Sequence, residues 1–109
     1  EAQIGAGTGI SGAGPAYIFY MIDALAAAAR AEGLPDDMAM QLAKATVAGA
    51  GALAEQAEET PEQLRINVTS PAGTTEAALN VLMNAQHGFP PLLKKAVAAA
   101  TKRGKELGA

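Results

Sequence analysis

Residues 16–32 contain neither glycine nor proline, and large apolar side chains occur on nearly every side of the helix that they would form. A helix that is apolar nearly all round is typical of a protein interior or of a membrane span. Its most apolar part, residues 16–29, is interrupted by Asp23 and followed by Arg30. That part is also shorter than the roughly 20 residues that a bilayer requires. We therefore expect a helix buried within protein and no membrane segment.

Helix-boundary residues flank this stretch on both sides. Pro15 suits the first turn of a helix, where its missing N–H breaks no hydrogen bond. Ser11, just upstream, is a candidate helix cap. Gly33 stands where a helix commonly ends with one residue in the left-handed conformation. The sequence thus predicts a helix from Pro15 that Gly33 terminates.

Four more segments have helical patterns, at residues 34–59, 60–68, 77–82 and 91–107. Gly49 and Gly51 lie inside the first of these and each costs about 1 kcal/mol relative to alanine. Their presence favours close packing against a neighbouring helix. The polar–apolar alternation at residues 66–69 is too short to build a sheet. The sequence therefore predicts an all-α fold of four or five helices, forming one domain over residues 1–109.

Alanine is abundant and aromatic residues make up only 4% of this 109-residue chain. Small side chains fill little volume, so a stable core needs close helix–helix approach or surface from a second chain. The absence of cysteine excludes a disulfide scaffold and a thiolate site, and it fits a cytoplasmic protein. The net charge is −3 and no stripe of lysine and arginine is present. Nucleic acid is therefore not expected as a partner.

The segment GTGISG, residues 7–12, has the G-x-G-x-x-G spacing of a dinucleotide-binding loop. Such a loop follows a buried strand, opens a helix and precedes an acid about 20 residues further on. Residues 1–6 are not a hydrophobic strand, and Glu32 falls at the end of a helix with no second strand to carry it. We interpret the spacing as accidental, within a glycine-rich stretch over residues 1–14 that has no regular period.

The segment SPAGTT, residues 70–75, is a short polar turn that leads into a helix. Pro71 fixes one backbone angle, and Gly73 lets a ligand approach the backbone. The N–H groups of Gly73, Thr74 and Thr75 would be free at the helix start, where the helix dipole favours a carboxylate or a phosphate. The alternative, which local physics alone favours, is an ordinary capped helix start.

His87, the only histidine, lies just before Gly88 in a break between helices. A surface turn position is favoured there over a proton shuttle. Glu55, Glu58 and Glu59 end the second helical segment; a solvated face is the default interpretation, and a functional role for one of them is the alternative. No nucleophile–base pair and no metal site emerges from the sequence.

Two motifs in the chain are SGAGPAY, residues 11–17, and VTSPAGTTEAAL, residues 68–79. The first is similar to the SGSGPAY motif that opens the C-terminal domain of the pyrroline-5-carboxylate reductase family. The second, which follows in the right order, is similar to the signature of that family around SPGGTT. The separation of the motifs also matches, as do GLP at residues 33–35 and Pro61 with Leu64. The resemblance covers essentially the whole chain.

The resemblance implies an enzyme that reduces 1-pyrroline-5-carboxylate to proline with NADPH or NADH, in the cytoplasm. It implies a helical domain that interlocks as a homodimer, with larger rings built from dimers in some members and the substrate at the dimer interface. The cofactor would be bound mainly by an N-terminal Rossmann domain that this chain lacks. The 109-residue chain alone is then expected to have no reductase activity.

The resemblance also implies roles for individual residues. The turn would hold the substrate carboxylate, chiefly through backbone N–H groups; the substrate-binding residues are Ser70, Ala72, Gly73, Thr74, Thr75 and Glu58. Thr75 matches the threonine whose hydroxyl contacts the ring nitrogen, and it is the expected catalytic residue. Glu58 matches an acid near the site. Ala72 replaces a usual glycine and Ala13 a usual serine, and Ala72 would narrow the backbone freedom of the turn.

Two other functions remain open at this point. One is a structural helical assembly module without a ligand site. The other is the helical second domain of a different NAD(P)-dependent dehydrogenase. Neither changes the expected fold, since both are helical.

Overall fold

A computed structural model of the chain describes residues 2–108. Over these residues the fold consists of helices without strands, which confirms the all-α class. The helices are α1 (Ala2–Ser11), α2 (Gly14–Ala31), α3 (Asp36–Gln56), α4 (Pro61–Asn67), α5 (Thr74–Leu82) and α6 (Phe89–Gly108). They form two compact units: Ala16–Arg65 is one, and the stretches up to Pro15 and from Ile66 onward make the other.

The glycine-rich N-terminal stretch forms helix α1, where the sequence indicated no regular period. This helix packs on α6. A Cβ atom added at Gly9 would lie 2.9 Å from the Thr101 Oγ1, and one at Gly5 would lie 3.6 Å from the Thr101 Cγ2. The glycines therefore allow the close approach of two helices, and this packing outweighs their low helix propensity. The prediction of an irregular segment was wrong because it considered local preference alone.

Helix α1 ends at Ser11 and α2 begins at Gly14, so Gly12 and Ala13 connect the two helices. The N–H groups of Gly12 and Ala13 both donate to the Thr8 carbonyl, at 2.9 and 3.2 Å. Pro15 lies in the first turn of α2, as predicted. Ser11 does not cap this helix, because its hydroxyl donates to the Gly7 carbonyl at 2.8 Å within α1.

Gly33 terminates α2 in the predicted manner, with a φ angle of +102°. Its N–H donates to the Arg30 carbonyl at 2.9 Å, and the Leu34 N–H donates to the Ala29 carbonyl at 3.1 Å. These two bonds are those of a Schellman motif, which satisfies carbonyl groups at the end of a helix. Both Leu34 and Ala29 also pack against the core described next.

The unit formed by Ala16–Arg65 has a core made of alanine. Ala26 on α2 and Ala39 and Ala43 on α3 are its buried residues, and the partly buried apolar residues around them are Ile22, Ala29, Leu34 and Met40. Alanine methyl groups let two helices approach closely, but they remove little apolar area from water. At one end, the Arg30 Nε lies 3.3 Å from the Asp36 Oδ1.

Helix α2 is largely exposed, whereas the sequence predicted burial within protein. Ala26 is its buried residue, and Phe19 and Tyr20 are 67% and 75% exposed. The stretch Gln3–Ala31, which comprises most of α1 and all of α2, is long and apolar enough to cross a membrane, and 6% of its apolar 18-residue window is buried. Core helices of soluble proteins meet the same test of length and composition. The absence of a membrane segment therefore stays a prediction.

Helix α3 ends at Gln56, three residues before the predicted end, and the Ala57 N–H donates to the Leu53 carbonyl at 2.8 Å. Beyond it the backbone is extended, with a ψ angle of 147° at Ala57. A Cβ atom added at Gly49 or Gly51 would meet nothing within 4 Å in the described chain. Within residues 2–108, therefore, no neighbouring helix explains these two glycines.

The remaining helices begin close to the predicted positions. Thr60 caps α4, since its Oγ1 accepts the Gln63 N–H at 3.2 Å.

In the turn before α6, the Asn84 Oδ1 accepts the N–H groups of Gln86 and His87 at 2.9 and 2.8 Å. His87 is exposed in this turn, which confirms the interpretation as a surface position. Among the apolar residues of α6, Ala96, Val97 and Ala100 are half-buried and Leu92 and Leu93 are exposed.

Candidate functional site

The candidate site begins with a tight turn over residues 70–73. The Gly73 N–H donates to the Ser70 carbonyl at 3.1 Å, which closes the turn. Pro71 occupies the second position, and Ala72 occupies the third with a φ angle of +58°. This is the pattern of a type II turn, whose third residue needs positive φ and is usually glycine. An alanine there costs about 1 kcal/mol because its Cβ crowds the following carbonyl.

Helix α5 starts immediately after this turn, with Gly73 as its N-cap residue. Gly73 has extended backbone angles, φ −90° and ψ −177°, and no side chain caps the helix. The Ala77 N–H donates to the Gly73 carbonyl at 3.2 Å. The N–H groups of Thr74 and Thr75 precede that first helical bond, and no described residue accepts from them. These donors thus remain available at the positive end of a helix.

The side chains around these donors are small and polar. Thr74 is exposed and Thr75 is half-buried, and both lie in the first turn of α5. A Cβ atom added at Gly73 would lie 3.2 Å from the Ser70 carbonyl oxygen. Glycine at this position therefore avoids crowding inside the turn. The sequence analysis assigned it a different role, which is to let a ligand approach the backbone. The arrangement can bind a small anion through N–H groups and offer a hydroxyl beside it.

Glu76 takes part in the turn, and sequence reasoning missed it. Its Oε1 accepts the Ala72 N–H at 2.9 Å. A glutamate in the first turn of a helix often reaches back to the N-cap N–H, in a capping box. Here the Gly73 N–H is already used by the turn, and Glu76 bonds one residue earlier. The position of Glu76 three residues after Gly73 was the signal that could have found it.

The predicted site residues fall into two groups. Ser70, Ala72, Gly73, Thr74 and Thr75 lie together in one turn and helix start, in the unit that contains α1, α5 and α6. Glu58 belongs to the other unit. It is exposed in the connection between α3 and α4, rather than at the end of a helix as predicted.

The other sequence candidate in the described residues is the dinucleotide-like segment. The segment GTGISG lies mainly in α1, so its backbone is helical and does not form a phosphate-binding loop. Among the residues that the structure describes, no group of three or more His, Cys, Asp or Glu side chains could hold a metal ion.

Comparison with known proteins decides the family. The family model described as "Pyrroline-5-carboxylate reductase dimerisation" matches residues 1–107. The chain belongs to this dimerisation family. The pyrroline-5-carboxylate reductase of Glycine max is 46% identical over 107 residues, which is 98% of this chain and 38% of that protein. The corresponding enzyme of Pseudomonas aeruginosa is 43% identical over the same length.

Solved structures give the same result for this dimerisation domain. A pyrroline-5-carboxylate reductase from Coxiella burnetii is 45% identical, with a TM-score of 0.90 over 98% of this chain and 39% of that one. The Plasmodium falciparum pyrroline carboxylate reductase, solved with NADP bound, is 30% identical with a TM-score of 0.90, over 100% of this chain and 41% of that one. The resemblance found in the two motifs is confirmed, and the chain spans about two fifths of these relatives.

Proposed function

We propose that the protein containing this chain reduces 1-pyrroline-5-carboxylate to proline with NADPH or NADH, in the cytoplasm. This domain supplies its substrate-binding turn and its homodimer contact. The observation that carries the proposal is the uncapped start of α5, whose Thr74 and Thr75 N–H groups have no acceptor among the described residues. It occurs within a domain that matches the reductase family over residues 1–107.

The chemistry of the substrate suits this helix start. A pyrroline carboxylate has one carboxylate and one imine nitrogen, on adjacent parts of a small planar ring. The carboxylate accepts hydrogen bonds from the Thr74 and Thr75 N–H groups, where the helix dipole adds attraction. The Thr75 hydroxyl donates to the imine nitrogen, which orients the ring and lets this hydroxyl relay from solvent the proton that the nitrogen gains when the C=N bond is reduced. Reduction then depends mainly on positioning, which is worth several orders of magnitude in rate.

The nicotinamide cofactor is assigned mainly to the part of the protein outside this chain. The G-x-G-x-x-G spacing at residues 7–12 lies mainly in α1, so it offers no cradle of loop N–H groups. When bound, the cofactor supplies the hydride. The residues of this chain bind the substrate and orient it. Glu58 is proposed as an acid near the substrate, on the strength of its match to the family pattern.

The homodimer accounts for the apolar surface of this chain. Ala26, Ala39 and Ala43 are the buried apolar residues among those described. By contrast, Phe19 and Tyr20 expose two thirds or more of their surface. Exposed apolar area of this kind marks an interface. A second copy that covers α2 would give this helix the burial that its sequence predicts.

The role of Thr75 is tested in the full-length protein by NADPH oxidation with pyrroline-5-carboxylate. We expect Thr75→Val to lower kcat/KM by about 10- to 100-fold, because it removes one hydrogen bond to the reacting ring. Thr75→Ser keeps the hydroxyl and should retain most of the activity. Thr46→Val is the control for loss of a threonine hydroxyl elsewhere, since the Thr46 Oγ1 bonds the Leu42 carbonyl within α3. Full activity in Thr75→Val would refute the assignment.

The dimer is tested by sedimentation equilibrium at micromolar concentration. We expect a dimer for the unaltered protein and a shift toward monomer in Tyr20→Asp, since a charge would be placed on the apolar face of α2. Tyr20→Phe keeps the apolar area and should remain dimeric. A stable monomer of the unaltered protein would contradict the proposal.

A further inference from the structure

We infer that Glu76 is a positioning residue for the substrate turn: its carboxylate holds Ala72 in a left-handed conformation and thereby orients the N–H groups that follow. This inference rests on the proposed function. The contact that carries it is the 2.9 Å hydrogen bond from the Ala72 N–H to the Glu76 Oε1. It joins a residue of the turn to a residue of the helix that the turn introduces.

The turn needs such support because of the residue at its third position. Among the described residues, Ala72 is the non-glycine residue with positive φ. An L-residue leaves this conformation more readily than glycine does, since its Cβ disfavours it. The turn itself contributes one backbone hydrogen bond, from the Gly73 N–H to the Ser70 carbonyl. The bond to Glu76 adds a second, charge-assisted one, which is stronger than a neutral bond.

The orientation of this turn determines where the candidate donors point. Thr74 and Thr75 directly follow Gly73, whose angles are φ −90° and ψ −177°. If Ala72 relaxed to negative φ, the peptide planes before α5 would rotate, and the carboxylate-binding N–H groups would lose their common direction. Glu76 itself bonds Ala72 and not Thr74 or Thr75, so it leaves those two donors to a ligand.

A competing effect of Glu76 gives the opposite prediction. Its negative charge lies in the first turn of α5, and it would repel a substrate carboxylate held at the same helix start. If repulsion were its main effect, removing the charge would strengthen substrate binding. If positioning is its main effect, removing the hydrogen bond weakens binding, and a neutral acceptor at the same place preserves most of it.

Steady-state kinetics of the full-length protein separate the two effects. We expect Glu76→Ala to raise KM for pyrroline-5-carboxylate by about fivefold to tenfold, with a smaller change in kcat. Glu76→Gln keeps an oxygen acceptor for the Ala72 N–H and should stay within about twofold of the unaltered protein. The matched control is Glu62→Ala, which removes another first-turn acid, on α4. A lower KM in both Glu76 variants would overturn the inference.

A double-mutant cycle tests the link to the left-handed residue. Glycine adopts positive φ without strain, so the turn should persist without its carboxylate partner when Ala72→Gly is present. We expect Glu76→Ala to raise KM by no more than about twofold in the Ala72→Gly background. An equal effect in both backgrounds would show that Glu76 does not act through Ala72, and would overturn the inference.

Hydrogen exchange without substrate separates this inference from the proposed function. We expect the Ala72 amide to exchange about tenfold faster in Glu76→Ala, while the Gly33 amide, at the end of α2, stays unchanged. Unchanged exchange at Ala72 would refute the inference whatever the substrate is. Faster exchange together with full activity of Thr75→Val would instead show that the turn is held by Glu76 while the proposed function fails.

Discussion

Helices α4 and α5 begin differently, although both start with a short polar sequence. At α4, the Thr60 Oγ1 accepts the Gln63 N–H, so a side chain of the same segment uses a donor of the first turn. At α5, Gly73 occupies the cap position and no side chain caps the helix. A capped start satisfies its own donors and adds stability. An uncapped start keeps its donors for a ligand, which is what a carboxylate-binding site needs.

Among the changes that test this contrast between the two helix starts, the largest effect is expected from giving α5 the kind of cap that α4 has. Gly73→Asp places a carboxylate where it can accept first-turn N–H groups and repel a substrate carboxylate. We expect kcat/KM to fall by about 30-fold or more, with unfolding stability unchanged or slightly raised, as measured by kinetics and thermal denaturation of the full-length protein.

Gly73→Ala is the matched control for that substitution. Its Cβ meets the same Ser70 carbonyl oxygen at 3.2 Å but brings no acceptor. We expect a loss of about threefold from this crowding. An equal loss in both variants would mean that steric fit matters at this position and that the free N–H groups do not.

Removal of the cap from α4 should have a smaller effect, and on stability alone. Thr60→Ala leaves the Gln63 N–H without its side-chain acceptor. We expect the free energy of unfolding to fall by about 1 kcal/mol, with KM for pyrroline-5-carboxylate unchanged, as measured by urea denaturation and steady-state kinetics. Thr60→Ser retains the acceptor and should behave like the unaltered protein. A change in KM would remove the contrast between the two helix starts.

The smallest effect is expected in the binding of the product, which NMR can measure. Proline at millimolar concentration should shift the amide resonances of Thr74 and Thr75, because its carboxylate would accept from these two N–H groups at the helix start. The Gln63 amide, already bonded to Thr60, should not shift. Equal shifts at both helix starts would indicate a general solvent effect. No shift at either in the full-length protein would favour a structural assembly module.

The sequence predicted the structure best where the residues that form one feature are neighbours in the chain. Pro71, Gly73 and the two threonines predicted a turn that leads into a helix, and the structure has that turn. The spacing of Glu76 from Gly73 could have indicated a capping role, but its bond to Ala72 depends on the φ angle of Ala72, which a sequence does not state. Glu58 was matched by family pattern alone, and its role stays a prediction.

Longer-range features were harder to predict, for a physical reason. Helix α1 forms although its glycines disfavour a helix, because the missing side chains let it pack on α6. Local periodicity contains no information about this contact. Helix α2 is the opposite case. Its apolar surface was recognised from the sequence, but the residues described here do not bury that surface. Its burial requires a surface that the pattern could not identify.

The packing of α1 on α6 also constrains the order in which the protein can fold during synthesis. The stretch up to Pro15 and the stretch from Ile66 onward belong to one compact unit, whereas Ala16–Arg65 is continuous in the chain. A unit built from distant segments has a high contact order and must close a long loop before it gains stability. We therefore expect α1 to leave the ribosome long before its partner helix exists. During that interval its glycine face stays open to solvent and to chaperones, while the alanine core between α2 and α3 can already assemble.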